Sequence, residues 1–357
     1  MRAAVHVGQL LQPVPGGIGR YIGHLLAALP GAGVEPTAFA AGPGPGGVGP
    51  YVALGWPRGA LRYEAWHRLR RPVLRVPGEV VHATSLAVPP PGRRPLVVTV
   101  HDLVFLRFPE HLTRRGVAFH RRGLALAQSE AAAIIVPSAF GRDDLVSHGI
   151  EAGRIHVAPH GVDAPAPPDA AARKAVLDHL GVRPPFVLFV GTLEPRKGVP
   201  DLLAAHAALR ARHPDLGLVL AGGCGWGLEP DLSAPGVTSP GNVDDTSLDA
   251  LYRAAVALAL PSRYEGFGLP VIEAMARGCP VVTTSAACLP EVAGGAADLV
   301  DVGDVDALAG ALERLLVDDG WNAEQAAAGR ERAQQFSWQA SAAAHAAAYA
   351  AALETPR

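Results

Sequence analysis

Lysine is nearly absent from this chain of 357 residues: of 31 Lys and Arg, only Lys174 and Lys197 are lysines. A lysine kept where arginine is the default points to a special demand, because a compact ammonium and a planar guanidinium are not interchangeable at an anion site. Cysteine is scarce as well. Cys224, Cys279 and Cys288 are odd in number, which excludes a fully paired disulfide framework and suits a reducing, cytoplasmic setting. No stretch of about 18 apolar residues occurs, so no segment is expected to span a membrane. The opening Met1–Gly8 is apolar for too short a run to act as a secretory signal. No His/Cys cluster has metal-ligand spacing, and no metal is expected. Zinc-ligand spacing, a basic helix and an aromatic strand platform are all missing, so nucleic acid is not an expected partner.

What is present describes a globular enzyme. Apolar residues make up 49% and charged residues 18%, outside the range of a disordered chain. The length accommodates two domains, each able to bury its own core. Charge is unevenly placed: residues 1–163 hold 17 basic against 10 acidic side chains, and residues 164–357 hold 14 against 23. The first half is therefore the side expected to meet something anionic. The tract Arg58–Arg75 and the pairs Arg114-Arg115 and Arg121-Arg122 are candidates for a lipid pyrophosphate or anionic headgroups at the inner membrane face. They are equally well read as solvated helix faces.

Short apolar runs alternate with longer amphipathic ones, the rhythm of parallel sheets covered by helices. In the first half, strands are expected at Ala3–Gly8, Val34–Ala40, Val80–Ala83, Leu96–Val100, Ala133–Pro137 and Ile155–Pro159. Helices are expected at Arg20–Leu29, Ala60–Arg71, Leu112–Gln128 and Phe140–Ser147, with a loop over Gly42–Pro50. Around Ala164–Asp169 the chain is a linker, after which the rhythm restarts. Strands then fall at Phe186–Gly191, Leu216–Ala221, Val237–Ser239, Val256–Leu260, Pro280–Thr284 and Ala297–Val300. Helices fall at Asp201–His213, Ser247–Ala254 and Pro270–Arg277, with an Ala-rich helical tail from Asp304 to Leu353. The fold class is α/β: two Rossmann-like doubly wound domains facing across a cleft, with ligands at the strand C-terminal ends. The domains are placed at 1–165 and 170–337.

Two stretches carry chemistry. Gly191-Thr192-Leu193-Glu194-Pro195-Arg196-Lys197-Gly198 lies directly after a buried strand and before a helix. Two cations at a helix N-terminus are unfavourable unless an anion joins them, and a phosphate resolves the conflict. Arg196 and Lys197 are thus candidate diphosphate ligands. The second stretch runs from Ser262 to Met275. Gly266 and Gly268 let the backbone approach a ligand, Pro270 opens a helix, and Glu273 is expected in its first turn. Glu265 and Glu273 would bracket the N–H groups of Gly268 and Leu269, one holding a ribose and the other a transferred hexose. The alternatives are a dipole-complementing Glu273 and an exposed loop acid at Glu265. Asp304-Val305-Asp306, Asp244-Asp245 and Asp318-Asp319 read as helix-capping or turn acids and not as metal ligands.

The Arg-Lys pair followed by Glu265 and Glu273, with seven residues between them, resembles the retaining glycosyltransferases of family four, of GT-B architecture. Leu289-Pro290-Glu291-Val292 extends the likeness, as do Gly241–Val243 with Leu251-Tyr252. In the first half it takes in Gly16-Gly17-Ile18-Gly19-Arg20-Tyr21, His101-Asp102, Pro137-Ser138 and Pro159–Asp163. The resemblance implies that Arg196 and Lys197 bind the donor diphosphate and Glu273 the ribose. Glu265 is then on the donor hexose, with the backbone of Gly266, Phe267, Gly268 and Leu269 nearby and Val243 beside the base. The Gly16–Gly19 loop, Gly17 included, is implied to close on phosphate and acceptor. His101, at a strand end, is implied to face the transferred sugar, and Asp102 the acceptor. A C-terminal helix at about 338–355 is implied to cross back onto the first domain.

The implied partners are a nucleotide-sugar donor and a glycan or lipid-linked acceptor, with no cofactor and no metal required. His101–Glu110, with Phe108-Pro109-Glu110, further resembles a bacterial mannosyltransferase-like branch and points to GDP-mannose. Cys224 departs from the lysine often found there in related sequences. The competing readings are a nucleotide-sugar epimerase or disaccharide phosphorylase on the same architecture, and a non-catalytic sugar-nucleotide binding subunit.

Overall fold

The computed structural model describes residues 1–55, 59–163, 166–225 and 230–355. Trp226, two residues after Cys224, Arg58 of the basic tract, and Ala164 and Pro165 of the expected linker lie outside them. Two compact units result: Met1–Gly161 with Ser337–Arg357, and Val162–Phe336.

The first unit holds a parallel sheet of seven strands. They are β1 (Arg2–His6), β2 (Glu35–Ala40), β3 (Tyr51–Ala53), β4 (Val80–Ala83), β5 (Leu96–Thr99), β6 (Ala131–Val136) and β7 (Ile155–Val157), in the order β3-β2-β1-β4-β5-β6-β7. Both faces are covered, so the central strands β4 and β5 are buried at every residue instead of alternating. On one face Ala4, Val81 and Val98 pack with Phe39 and Trp66. On the other, Ala3, Val5 and Val97 pack with Tyr21, Ile22 and Leu25 of helix Gly16–Ala28 and with Trp338 and Tyr349 of helix Trp338–Glu354. The second unit repeats the plan with six parallel strands: β8 (Phe186–Val190), β9 (Gly217–Ala221), β10 (Val237–Gly241), β11 (Ala257–Leu260), β12 (Val281–Thr284) and β13 (Asp298–Val300). Their order is β10-β9-β8-β11-β12-β13. In each sheet the winding direction reverses once, between β1 and β4 and between β8 and β11, which is where such sheets bind ligands.

Several expectations need correction. Gly16–Gly19 is not a loop but the first turn of helix Gly16–Ala28. Gly42–Pro50 holds no helix or strand, in line with the expected loop, but the three-residue edge strand β3 that follows it on β2 was not expected. The expected helix Ala60–Arg71 is α-helical over Gly59–Glu64 and widens into a π turn over Ala65–Leu69, ending where Arg70 turns left-handed at φ 50°. The Ala-rich tail is three helices, Val305–Val317, Asp319–Ala333 and Trp338–Glu354. Asp304, Asp318 and Ser337 cap them, accepting from the backbone N–H of Ala307, Trp321 and Ala340 at 2.9, 2.9 and 3.1 Å. Asp244 does the same for helix Asp245–Ala254. The three cysteines are free.

Helix Trp338–Glu354 gains its place in the first unit through close approach and hydrogen bonds. A Cβ on Gly161 would run into the backbone of Ser337 and Trp338, so only glycine allows that contact. Tyr349 Oη meets His82 Nδ1 at 2.8 Å, and His82 Nε2 meets Thr99 Oγ1 at 2.8 Å. Thr99 Oγ1 reaches Tyr21 Oη at 3.0 Å, which reaches His345 Nε2 at 2.8 Å. All five side chains are buried. This neutral chain gives each buried polar atom a partner that an apolar packing would not.

Burial pushes His6 and His345 down to about 4, and His82 and His160 well below their ordinary value. In the unfolded chain these rings titrate near 6.5. Between pH 6.5 and 4 the unfolded state therefore binds more protons, so stability is full above that window and is lost as pH falls through it. Each fully buried histidine contributes about 3 kcal/mol at most over the window. His6, whose ring nitrogens have no hydrogen-bond partner among the described residues, lies against Phe39, Tyr63 and Trp66. His6→Phe is expected to hold stability at pH 7.5 and to flatten the acid decline, checked by denaturant midpoints from pH 7.5 to 4.5. An unchanged slope would contradict this account.

Candidate functional site

The second unit's site forms where the sheet order reverses. β8 delivers the turn Pro195–Lys197, and β11 delivers the loop Pro261–Gly268. The two segments are joined by backbone: Arg263 N–H donates to the Arg196 carbonyl at 2.7 Å. Gly198 follows with φ 68°, and a Cβ there would meet the Pro261 carbonyl oxygen. Glycine is thus required twice over, for the left-handed turn and for the contact.

The side chains converge on Glu265, which is 6% exposed. Lys197 Nζ donates to its Oε1, Ser262 Oγ donates to the same oxygen at 2.8 Å, and Arg196 Nη1 reaches Oε2 at 3.2 Å. Arg196 also donates to the Tyr264 carbonyl at 3.1 Å and, through Nε, to Glu194 Oε2 at 3.0 Å. Ser262 is anchored in turn, its carbonyl accepting from Thr284 Oγ1 at 2.5 Å. Cys288 Sγ donates to the Glu265 carbonyl at 3.1 Å. Burial alone would raise the Glu265 carboxyl, but Lys197 and Arg196 outweigh it and hold it at about 2. Burial draws the Lys197 ammonium below its ordinary value, opposed by Glu265.

Glu273 is placed differently from the expectation. Helix Leu269–Ala276 puts it in the second turn, with no acidic residue in the first. It is buried, and Tyr252 Oη donates to its Oε2 at 2.9 Å. Arg277 donates to the Glu273 carbonyl at 3.1 Å and pairs with Asp249 at 2.7 Å, so that Tyr252, Asp249 and Arg277 brace one another. Glu265 faces the two cations, and Glu273 faces a tyrosine. Phe267 is buried edge-on to Phe336 at 5.7 Å, so its side chain belongs to the core. Gly266 is half-buried, Gly268 sits at φ 88° before the helix, and Leu269 and Val243 pack partly on the core.

In the first unit His101 and Asp102 follow β5. His101 Nε2 meets the Thr84 carbonyl at 2.9 Å, so that nitrogen carries the hydrogen and the neutral ring keeps its lone pair on Nδ1. Burial lowers its pKa, against the opposing pull of Thr84 and Asp102. Tyr21 and His160 lie against the ring at 5.1 and 5.7 Å. Asp102 Oδ1 accepts from the Val104 N–H at 3.0 Å, fixing the turn into helix Val104–Arg107. Gly17 is exposed in the first turn of the helix that carries Tyr21. Much of this unit's basic excess is used internally. Arg62 donates to the Gly55 carbonyl, Arg70 to the carbonyls of Trp66, Val88 and Pro89 and to Glu130, and Arg122 to Glu64. No group of three or more potential metal ligands occurs among the described residues. Nor, among them, is any helix long and apolar enough to cross a membrane.

Sequence reasoning gave no role to Glu194, Ser262 or Cys288, and it placed Tyr252, with Leu251, beside the donor base without pairing it to Glu273. Glu194 and Ser262 lie beside the cations and Glu265 in the chain, but the contacts of Tyr252 and Cys288 span 21 and 23 residues, which no local pattern reveals.

The comparisons with known proteins agree with this architecture. Residues 15–165 match the model described as Glycosyltransferase Family 4, and residues 184–318 the model described as Glycosyl transferases group 1. The O-antigen chain mannosyltransferase B of Escherichia coli is 33% identical over 261 residues, covering 68% of this chain and 67% of that protein. The chain belongs to glycosyltransferase family 4. It is also 34% identical to the MMP alpha-(1->4)-mannosyltransferase of Mycolicibacterium hassiacum, over 72% of this chain and 66% of that one. The matched segments thus span about two-thirds of these relatives' own length. The structure of Anabaena HepE in complex with UDP-glucose superposes with a TM-score of 0.74 at 20% identity, covering 97% of this chain and 98% of that one. The fold is that of GT-B glycosyltransferases, and the chain is a transferase of that type.

Gly198→Ala is expected to destabilise the protein by about 2–5 kcal/mol, from the left-handed strain and the forced contact with Pro261. Denaturant unfolding checks this, and a loss under about 1 kcal/mol would mean that the turn relaxes freely.

Proposed function

We propose that this glycosyltransferase moves mannose from GDP-mannose to a hydroxyl of a glycan or lipid-linked acceptor, with retention of anomeric configuration and without a metal. The observation that carries the donor reading is the pair Arg196 and Lys197 at the point where the sheet order reverses, bonded to the loop that leads into helix Leu269–Ala276. Two cations there neutralise a departing nucleoside diphosphate. Mannose is favoured because two similar relatives are named as mannosyltransferases. Glu273, steadied by Tyr252, is assigned to the ribose, and Glu265 to the hexose.

A double displacement needs a basic carboxylate under the anomeric carbon. Glu265 suits that role poorly: a carboxylate held at about 2 by two cations is a weak nucleophile. The proposed step is therefore a displacement on one face of the sugar. The bond from the anomeric carbon to the phosphate oxygen breaks, the acceptor oxygen bonds to that carbon, and the acceptor proton passes to the leaving phosphate. His101 is assigned to the sugar from the first unit, where a neutral ring with its lone pair on Nδ1 tolerates positive charge on the sugar. Exposed Arg71, Arg75, Arg114 and Arg115 are the proposed contact with an anionic acceptor or headgroup.

A thermal-shift series with GDP, UDP, ADP, GDP-mannose and UDP-glucose, with and without EDTA, tests the donor. The expected result is a shift for guanine nucleotides that survives EDTA and is lost in Lys197→Ala. A shift with UDP-glucose alone would move the donor to that sugar nucleotide, and a shift abolished by EDTA would end the metal-free reading. Glu265→Gln is expected to slow transfer by about 10²–10³-fold without abolishing it. Mass spectrometry of enzyme with donor is expected to show no glycosyl adduct, and a trapped adduct would overturn the one-face displacement.

A further inference from the structure

The cradle that is to receive a diphosphate already holds two anions. Arg196 and Lys197 are matched by Glu194 and Glu265, so a donor arrives at paired cations. The two carboxylates are held very differently. The Glu265 side chain is 8% exposed and bonded by Lys197, Arg196 and Ser262. Moving it off Lys197 would leave a buried charge without its partner, a costly change. The Glu194 side chain is 32% exposed and meets Arg196 Nε through one oxygen. Its carbonyl accepts from the Lys197 N–H at 3.0 Å, and the residue before it is held through both its backbone groups, Leu193 N–H donating to the Gly223 carbonyl at 2.9 Å and Gly225 N–H to the Leu193 carbonyl at 3.0 Å. Only side-chain rotation is needed to carry the Glu194 carboxylate into water, where its charge is solvated at little cost.

We propose that Glu194 is a resident counter-ion of Arg196 that the donor's diphosphate displaces, while Glu265 stays on Lys197 and Ser262. The inference rests on the donor reading above. Binding is then an exchange of carboxylate for phosphate at Arg196. A diphosphate, with several oxygens at fixed spacing, takes Arg196 while also engaging the neighbouring helix terminus. An isolated carboxylate or single phosphate has less to offer against Glu194. The resident acid thereby raises the threshold that an anion must meet before it occupies the cradle.

The test is calorimetric titration of GDP and UDP into the wild-type protein, Glu194→Gln and Glu194→Ala, each confirmed as folded by its melting temperature. Loss of the competing carboxylate is expected to tighten binding of whichever nucleotide the wild type takes, by about three- to tenfold in both variants. A residue of merely structural value would give no gain in affinity. Unchanged or weaker binding in both variants, with the wild type still binding, overturns the exchange and leaves the donor site standing. Binding of neither nucleotide to any of the three folded proteins overturns the donor reading, and this inference with it.

Discussion

A buried ammonium must have an anion, and the second unit is built around that requirement. Lys197 is 7% exposed, too deep to be hydrated as an ordinary lysine is. Glu265 supplies the anion, and its own burial is offset by Arg196 and Ser262. The surrounding arrangement follows from keeping these groups together. Ser262 is held by Thr284 at the end of β12, the Glu265 carbonyl by Cys288, and the two loops by the bond from Arg263 to Arg196. Gly198 permits the approach to Pro261 without which the cations and the carboxylate would not meet.

The parallel sheets were legible because strands buried on both faces leave uninterrupted apolar runs such as Phe186–Val190, and turns follow at their ends. The tail was harder. Alanine packs on any side of a helix, so the run from Ser337 to Leu353 showed no face, and its cap is a serine instead of an acid such as Asp304 or Asp318 that marked the helices before it. The edge strand β3 went unread because three residues beside a Gly-rich loop carry almost no pattern. It forms because β2 offers it a partner. In the site, residue types at a strand end sufficed to nominate Arg196 and Lys197. Which carboxylate each cation meets was not readable, since the partners lie 68 and 69 residues away and depend on how β8 and β11 pair. For the same reason the bond from Tyr252 to Glu273 was not readable.

The two units solve the burial of polar groups in opposite ways. The second uses charges in matched pairs. The first uses neutral groups in series, Tyr349, His82, Thr99, Tyr21 and His345, where each donor finds an acceptor and burial keeps the imidazoles unprotonated. The difference has chemical consequences. A charged cradle holds an anion strongly but must first give up the anion it has. A neutral cluster has no anion to give up, yet it tolerates no proton, because an imidazolium among these neutral groups would be unpaired in a medium of low dielectric.

His101 shows why neutrality matters at the strand end. Its hydrogen is committed to the Thr84 carbonyl, and its neighbours Tyr21 and His160 crowd the ring without supplying an anion. Asp102, the adjacent carboxylate, accepts from the Val104 N–H and pulls the ring's pKa upward, a pull that burial outweighs. An imidazolium at this position would repel positive charge developing on a sugar, whereas the neutral ring presents electron density at Nδ1. The burial that lowers the His101 pKa against the pull of Thr84 and Asp102 therefore favours the neutral ring that suits the chemistry proposed.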